Sequence, residues 1–433
     1  MITTLMLLLF VFGYIAIALE HPIKVDKAAS ALIIGGLGWA LLAFSGIDHH
    51  TLNHEIQHHI VDIAEILFFL LGAMTIVELV DAHQGFSIIT AKITTNKKVY
   101  LIWILSIITF FFSAVLDNLT TAIVMAALLP KLIKDKETLW LFAGILILVA
   151  NAGGAWSPIG DITTIMLWIG GQVSALNIIS SIILPSIICA ITPLIYLTFK
   201  LKGKVERPLK IELDEHEKNP TPPFERNLIF YLGLCGLLFV PVFKSITHLP
   251  PYVGMLLSLG ILWLVTEIVH RNKNYEVKSQ LSVIAVLRKI DTSTIFFFLG
   301  ILLAVASLQS AGQLDLVAKY LDTSFNGQTT KGTYVINIII GLLSAIVDNV
   351  PLVAGAIGMY PITETGLYAV DGVFWEFLAY CAGTGGSVLI IGSAAGVALM
   401  GILKIDFIWY LKNISLLALI GYLSGAATYI IMQ

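Results

Sequence analysis

The segments Asp117-Asn118-Leu119-Thr120-Thr121 and Asp348-Asn349-Val350-Pro351-Leu352 each place an aspartate-asparagine pair inside a long apolar stretch. A carboxylate at bilayer depth is costly, so it normally lines a cavity and marks an ion or proton path. The same costly pair occurs twice, once in each half of the chain. This repetition predicts a duplicated site for ion movement inside a membrane protein.

The composition of the whole chain favours a membrane protein. Hydrophobic residues make up 58% of it and charged residues only 12%, against about 25% charged residues in soluble domains. The mean hydropathy is +0.91. The first apolar run lacks the basic region and the small-residue cleavage site of a signal peptide. No basic cluster indicates a nucleic-acid surface, and the cysteines have no ligand spacing, so we expect neither a nucleic-acid partner nor a cofactor.

Apolar runs of spanning length predict an all-α polytopic membrane protein with roughly ten transmembrane helices. The predicted spans are Ile2–Leu19, Ala28–Ser45, Ile60–Val80, Leu139–Gly170, Leu176–Phe199, Asn227–Phe243, Tyr252–Val269, Asp291–Ser310, Val373–Leu403 and Phe407–Met432. The connections Lys200–Arg226 and His270–Lys289 are rich in Lys and Arg, so the positive-inside rule places them in the cytoplasm. Both termini then lie outside, as does the loop Gly46–His59, which has no Lys or Arg.

The two stretches that carry the Asp-Asn pairs, Val99–Leu129 and Tyr334–Met359, need a different interpretation. Each must return to the side from which it enters, and each is too short for two full crossings. We therefore predict two re-entrant hairpins of half-helices, near residues 99–131 and 332–360, with the pairs at their tips. Broken backbone at that depth is tolerated where it is buried in protein or lines a polar cavity.

Two of the predicted spans contain glycine-rich breaks. Asn151-Ala-Gly-Gly-Ala-Trp-Ser-Pro-Ile-Gly-Asp161-Ile-Thr-Thr164 interrupts the span at 139–170, and Ala382-Gly-Thr-Gly-Gly-Ser387-Val-Leu-Ile-Ile-Gly-Ser393 interrupts the span at 373–403. Gly and Pro at this density do not sustain a helix. Each residue of the first break and its equivalent in the second break are the same number of positions apart in the sequence. The two Asp-Asn pairs are separated by nearly the same number of positions. This predicts inverted repeats at 1–200 and 227–433, joined by a cytoplasmic linker at 201–226.

The hairpin tips and the breaks are expected to converge on carboxylate, amide and hydroxyl oxygens. They contain no Cys or His, and no Lys or Arg lies near these motifs. Such a set favours a hard cation, with Na⁺ or Li⁺ fitting best, because a transported ion must also be released. The same carboxylates can take a proton, so exchange of a cation for H⁺ follows as the minimal function. Because Ser393 stands where the first half has Asp161, we expect the cation nearer the first-half motif.

The order of these motifs resembles the NhaD-type sodium/proton antiporters of the ion transporter superfamily, over nearly the whole chain. The resemblance implies a secondary active transporter that exchanges Na⁺ or Li⁺ for H⁺ across a bacterial inner membrane, as a homodimer with a moving transport domain. The cation- and proton-binding residues expected from the resemblance and the motifs are Asp117, Asn118, Asn151, Ser157, Asp161, Thr163, Thr164, Asp348, Asn349, Ser387 and Ser393. Na⁺ is expected to bind through Asp117, Asp161 and Asp348.

Two other functions stay open at this point. Carboxylate carriers of the wider superfamily have neutral residues where this chain has Asp117 and Asp161, which favours a cation, but a sodium-coupled carboxylate or oxyanion carrier is the alternative. An intramembrane aspartyl hydrolase that uses two aspartates as acid and base is another. The duplicated Asp-Asn pairs favour transport over hydrolysis.

Several further titratable residues are candidates for accessory roles. Glu65, on the third span, is a candidate for the site or for a proton path, whereas Glu78 near the inner boundary is expected to be interfacial or paired. His83 could sense pH, although a solvated loop position is the favoured interpretation. The outer loop carries His49, His50, His54, His58 and His59. For these histidines a solvated loop is favoured over a surface metal site.

Overall fold

The fold of this chain is built from helices. The computed structural model describes residues 2–90, 93–207 and 221–433. Within those ranges, β pairing consists of two isolated bridges, Lys97 with Lys204 and Thr363 with Ala369. The predicted all-α class is therefore confirmed. Residues 208–220 of the predicted linker lie outside the described residues.

The helices of the first half, in chain order, are α1 (Ile2–Ala18), α2 (Glu20–Ile23), α3 (Lys27–Ala43), α4 (His49–Ala82), α5 (Ser87–Thr90), α6 (Lys98–Leu116), α7 (Asn118–Leu132), α8 (Lys136–Ala155), α9 (Ile162–Ile169) and α10 (Ala175–Lys200). Those of the second half are α11 (Pro223–Thr247), α12 (Pro251–His270), α13 (Tyr275–Leu281), α14 (Val283–Leu287), α15 (Thr292–Ser310), α16 (Gln313–Phe325), α17 (Thr330–Leu343), α18 (Asn349–Met359), α19 (Val373–Gly385), α20 (Ala394–Leu403), α21 (Phe407–Asn413) and α22 (Ser415–Met432).

The long apolar helices make the chain a multi-pass membrane protein. In the described ranges, eight helices are long and apolar enough to cross a bilayer, namely α4, α6, α8, α10, α11, α12, α15 and α22. Helices α20 and α21 form a further apolar pair, bent by 117°. The predicted span Phe407–Met432 is wrong as a single helix, because Ile414 adopts φ −116° and ψ −42° and separates α21 from α22.

The two stretches with Asp-Asn pairs differ from each other in the length of their first limbs. Helix α6 has 19 residues and is long and apolar enough to cross the bilayer, so this limb is longer than the half-helix that the sequence predicts. It ends at Asp117, whose φ of +73° is uncommon for a residue other than glycine. In the second stretch, α17 and α18 have 14 and 11 residues, which are half-helix lengths.

Helix α4 begins inside the region that the sequence predicts as a solvated outer loop. That prediction is wrong from His49 onward, because Asp48 accepts hydrogen bonds from the backbone N–H groups of His50 at 3.0 Å and Thr51 at 3.2 Å and so caps a helix. The helix has 34 residues, which corresponds to about 51 Å. Because the hydrocarbon core is roughly 30 Å thick, α4 can place titratable residues at both of its ends.

Serines at equivalent positions of the two halves make equivalent contacts. Ser113 Oγ donates to the backbone carbonyl of Ala150 at 2.5 Å, and Ser344 Oγ donates to that of Ala382 at 2.9 Å. The first contact joins α6 to α8, and the second joins the end of α17 to α19. A duplicated unit predicts this correspondence.

Glycines at equivalent positions allow the same helices to approach each other closely. A Cβ atom on Gly153 would overlap the backbone carbonyl of Phe110, and one on Gly385 would overlap that of Gly341. Only glycine fits where one backbone lies directly against another. Each broken span is therefore held tightly against the first limb of its own Asp-Asn stretch.

Candidate functional site

Asp161 is the centre of a buried polar network at the break between α8 and α9. It is 1% exposed, and its carboxylate caps α9 by accepting from the backbone N–H of Thr163 at 2.9 Å and from its hydroxyl at 2.6 Å. The carboxylate also accepts from the side-chain amides of Asn118 at 2.5 Å and Asn349 at 3.4 Å. Both Asp-Asn pairs therefore supply their asparagine to the same carboxylate.

Asn151, in the last turns of α8, links the first break to the second. Its Oδ1 accepts from Asn118 Nδ2 at 3.0 Å, and its Nδ2 donates to the hydroxyls of Ser387 at 2.9 Å and Ser393 at 3.0 Å. Ser393 caps α20 as Asp161 caps α9. The two half-helices thus begin at equivalent positions, one with a carboxylate and the other with a hydroxyl.

We call these seven side chains the central network: Asn118, Asn151, Asp161, Thr163, Asn349, Ser387 and Ser393. All are nearly inaccessible, and Asp161 is the one carboxylate among them. No described Lys, Arg or His forms an ion pair with Asp161. A buried carboxylate that meets only neutral donors is strongly disfavoured unless a cation or a proton neutralises it.

Asp117 and Asp348 make their hydrogen bonds outside the central network, although the sequence predicts them as Na⁺ ligands together with Asp161. The Asp117 carboxylate accepts from the backbone N–H of Thr120 at 2.8 Å and from its hydroxyl at 2.9 Å. The Asp348 carboxylate accepts from the backbone N–H of Val350 at 3.2 Å. Both aspartates are close enough to Asp161 to act on it electrostatically, but neither bonds to the network side chains.

Asp348 has a basic partner that the sequence does not reveal. Lys27 Nζ lies 4.0 Å from the Asp348 carboxylate, and the two side chains are 18% and 15% exposed. The same ammonium lies 4.5 Å from the centre of the Phe297 ring. The expectation that no Lys or Arg lies near the motifs is therefore wrong, because the packing of α3 brings a residue that is remote in sequence to the tip of the second stretch.

Two of the expected site residues bind backbone rather than the central network. Ser157 Oγ donates to the carbonyl of Ala114 at 2.5 Å, which holds the break against α6. Thr164 Oγ1 donates to the carbonyl of Ala155 at 3.3 Å, across the break itself. Both side chains are buried, and their contacts fix the geometry of the break.

A cavity of about 310 Å³ lies between α4, α9, α15 and α18. We call it the His59 cavity, and its lining includes His59, Asp62, Glu65, Met166 and Ala354. The last two residues lie on α9 and α18, the helices that begin beside the central network. The structure therefore places Glu65 in a cavity whose walls include residues of two helices that begin beside the network.

A second cavity, of about 120 Å³, lies farther along α4. We call it the Glu78 cavity, and its lining includes Glu78, Asp81, Thr120 and Lys289. Because Thr120 bonds to Asp117, this cavity reaches the tip of the first Asp-Asn stretch. Glu78 therefore shares a cavity wall with the Asp81 carboxylate and the Lys289 ammonium, and its expected interfacial or paired position stays a prediction.

His83 is fully buried, so the prediction of a solvated loop histidine is wrong. Its Nδ1 lies 2.7 Å from the carbonyl of Leu79, and its ring stacks on that of His270 with centroids 5.1 Å apart. Their Nε2 atoms are 3.2 Å apart. Burial is the main cause that lowers the pKa of His83, and Lys273 lowers it further. Glu225 lies 3.9 Å from His270.

Comparisons with known proteins agree with a transport site. A family model described as "Citrate transporter" (CitMHS) matches residues 7–376. Sodium/proton antiporter 1 of Arabidopsis thaliana is 45% identical over 427 residues, which cover 98% of this chain and 72% of that protein. Sodium/proton antiporter 2 of the same plant is 42% identical over 428 residues, which cover 98% of each chain.

Bacterial relatives extend this similarity. Na(+)/H(+) antiporter NhaD of Vibrio cholerae is 29% identical over 460 residues, which cover 99% of this chain and 91% of that protein. The resemblance predicted from the order of the motifs is therefore confirmed.

Proposed function

This chain belongs to the citrate transporter (CitMHS) family, and we propose that it is a transporter and not an enzyme, and that it exchanges Na⁺ or Li⁺ for H⁺. The relatives named as sodium/proton antiporters support this choice of substrates. The proposal assigns the exchange to the central network, with Asp161 as the group that holds either the cation or the proton.

One observation carries the proposal. Asp161 is a buried carboxylate whose partners are Asn118, Asn349 and Thr163, all neutral donors. A monovalent cation or a proton restores neutrality, whereas an empty ionised site is costly. Because one carboxylate cannot serve both at once, binding of one opposes binding of the other. This competition is the minimal physical basis of exchange.

The ligands proposed for the cation lie on the first-half side of the network. Asp161 supplies charge, and the amide oxygens of Asn118 and Asn151 are available if their side chains rotate. Hard cations with oxygen ligands suit such a set. The second half contributes hydroxyls at Ser387 and Ser393, which bond to Asn151. This assignment keeps the asymmetry between Asp161 and Ser393 that the sequence predicts.

Access to the network is proposed through the two cavities along α4. The His59 cavity offers Glu65, and the Glu78 cavity offers Glu78 and reaches Asp117 through Thr120. Acidic walls attract cations and raise their local concentration. Asp117 therefore acts as a relay on the Glu78 side, whereas Asp348 has its charge offset by Lys27.

A sodium-coupled citrate or other carboxylate carrier is the second candidate, because the description of the family model names citrate. An anion site would need Lys, Arg or helix N-termini free to receive a carboxylate. Lys27, the basic side chain at the tip of the second stretch, is paired with Asp348. Uptake of radiolabelled citrate by proteoliposomes under a Na⁺ gradient tests this candidate, and uptake without Na⁺-driven proton movement would replace the exchange proposal.

The proposal extends to location and assembly. We propose a bacterial inner membrane, both termini outside, and a homodimer. Impermeant maleimide should label Gln433→Cys in intact cells and should label Lys202→Cys only after permeabilisation, in a background without native cysteines. Equal labelling of the two positions in intact cells would contradict the orientation. Mass measurement of the purified protein in detergent tests the dimer.

Asp161→Asn tests the exchange itself. The amide preserves the size of the side chain but cannot bind or release a proton, so Na⁺- and Li⁺-driven proton movement in proteoliposomes should be abolished. The control is Asp315→Asn, which changes an exposed carboxylate on α16 and should leave the rate unchanged. Near wild-type exchange by a folded Asp161→Asn protein would remove this residue from the mechanism.

A further inference from the structure

The N-terminal turns of α4 carry a cluster of metal-ligand side chains that transport of Na⁺ does not require. His58, His59 and Asp62 each present one ligand atom, and these atoms all lie within 4.8 Å of one another. His58 Nδ1 is 3.7 Å from the Asp62 carboxylate. A tetrahedral ion held at about 2.0–2.2 Å by N and O ligands needs those atoms roughly 3.3–3.6 Å apart, so small rotations of the side chains would close the cluster around an ion.

A fourth ligand is available one turn earlier on the same helix. The Glu55 carboxylate lies 3.9 Å from His59 Nε2, and it also accepts from the Ser310 hydroxyl at 3.2 Å. The His59 ring packs against Trp39, with centroids 6.0 Å apart, and is only 14% exposed. Packing therefore fixes the orientation of His59 before any ion binds.

The ligand set selects a class of ion. Two imidazoles with carboxylates suit Zn²⁺, Ni²⁺ or Cu²⁺, whereas Ca²⁺ and Mg²⁺ prefer sites made of oxygen. His58 and Asp62 are 70% and 66% exposed, so they can adjust their rotamers around an ion at little cost. The cluster thus combines one fixed imidazole with two adjustable ligands.

The position of the cluster gives a bound ion a consequence. His59 and Asp62 line the His59 cavity, whose lining also includes Met166 and Ala354 on the helices that begin at the central network. A divalent charge at this rim would neutralise Asp62 and repel an incoming monovalent cation. The ion would also connect side chains that otherwise move independently.

We propose that His58, His59 and Asp62, with Glu55, form an inhibitory site for a divalent transition-metal ion of the Zn²⁺ class at the rim of the His59 cavity. Binding of the metal stands on its own, whereas the inhibition rests on the proposed Na⁺/H⁺ exchange. The two parts therefore need separate measurements.

The first measurement is Zn²⁺ binding to the purified, metal-stripped full chain, by isothermal titration calorimetry in detergent. We expect one ion per chain, with binding weakened at least about 10- to 100-fold by His58→Ala or by Asp62→Asn. His49→Ala, which changes an exposed histidine in the first turn of the same helix, is the matched control and should bind as wild type does. Unchanged binding by a folded His58→Ala protein, or no binding by the wild type, would overturn the site.

The second measurement is Na⁺-driven proton flux in proteoliposomes with and without ZnCl₂, followed by EDTA. Zn²⁺ should reduce the wild-type rate, EDTA should restore it, and His58→Ala should retain its rate in the presence of Zn²⁺. Zn²⁺ bound at the site without effect on the wild-type flux would overturn the inhibition. Absence of any Na⁺-driven flux in metal-free wild type would instead contradict the proposed exchange and would leave the binding result intact.

Discussion

At the scale of single residues, the contrast between Asp161 and Asp348 organises the site. Asp161 is buried among neutral amides and hydroxyls, whereas Asp348 is partly exposed and faces the ammonium of Lys27. Two carboxylates from related motifs therefore have different electrostatic environments. Our proposal assigns the exchange to Asp161, the carboxylate without a fixed countercharge, whereas Asp348 has Lys27 as its partner.

Lys27→Met should destabilise the protein, because it leaves the Asp348 charge without a partner. Asp348→Asn in the same chain should restore part of the loss. A coupling energy of about 0.5–3 kcal/mol is typical for residues in direct contact. The measurement is a double-mutant cycle of thermal unfolding in detergent.

The outcome that contradicts the Lys27–Asp348 pairing is strict additivity. If the double variant loses the sum of the two single losses, the two groups do not interact in solution. Lys24→Met, a neighbouring exposed lysine, serves as the control and should leave the unfolding temperature nearly unchanged.

At the scale of helices, close backbone contact holds the two broken spans against the first limbs of the Asp-Asn stretches. Gly153 on α8 meets Phe110 on α6, and Gly385 on α19 meets Gly341 on α17. These contacts position the breaks, and therefore the caps Asp161 and Ser393. Small residues allow such approach in membranes, where packing rather than the hydrophobic effect drives helix association.

Gly385→Ala should lower the thermal stability of the protein and its exchange rate together, because the new methyl group would overlap the Gly341 carbonyl and push α19 away. Gly260→Ala is the matched control, since a Cβ at that position on α12 meets open space. The control should be neutral or stabilising, because alanine favours a helix over glycine by about 1 kcal/mol. Equal effects of the two substitutions would show that the contact between α17 and α19 is loose.

The pair of stacked histidines joins α4 to α12 and makes the stability of the protein depend on pH. Burial holds the pKa of His83 below its ordinary value of 6.5, so below that pH the unfolded chain binds a proton that the folded chain resists. Stability should therefore fall as pH decreases from about 6.5. Lys273 adds positive charge nearby and lowers the pKa of His83 further, while Glu225 opposes the effect.

His83→Gln should make the unfolding temperature less dependent on pH between about 5 and 7, since glutamine has no proton to gain. The measurement is a series of thermal unfolding curves across that range. His49→Gln, an exposed change on the same helix, should keep the wild-type slope. A slope that is the same in all three proteins would mean that other groups dominate the acid response.

At the scale of the whole molecule, sequence predicts the elements better than it predicts their contacts. Asn118, Asn151 and Asp161 stand out because polar side chains are costly inside apolar runs, and all three lie in one network. The contacts of Lys27 with Asp348 and of His83 with His270 have no such signal, because they join helices that are distant in sequence. The start of α4 could have been predicted from Asp48, because aspartate is a good N-cap residue. The lack of Lys and Arg in that region favoured the interpretation as an outer loop instead.

The arrangement of the whole protein predicts how exchange depends on pH. Two cavities with acidic walls lie along α4, and the walls of each include residues of helices that begin at the central network. Protons and Na⁺ then compete for one carboxylate, so the apparent Michaelis constant for Na⁺ should rise as pH falls. For a single competing proton the rise approaches about tenfold per pH unit on the acid side. The measurement is Na⁺-driven proton flux in proteoliposomes across a pH series, with Li⁺ as a second substrate. A Michaelis constant that stays flat while the maximal rate falls would place the proton at a separate group, with His83 as the first to test, and would exclude competition at Asp161.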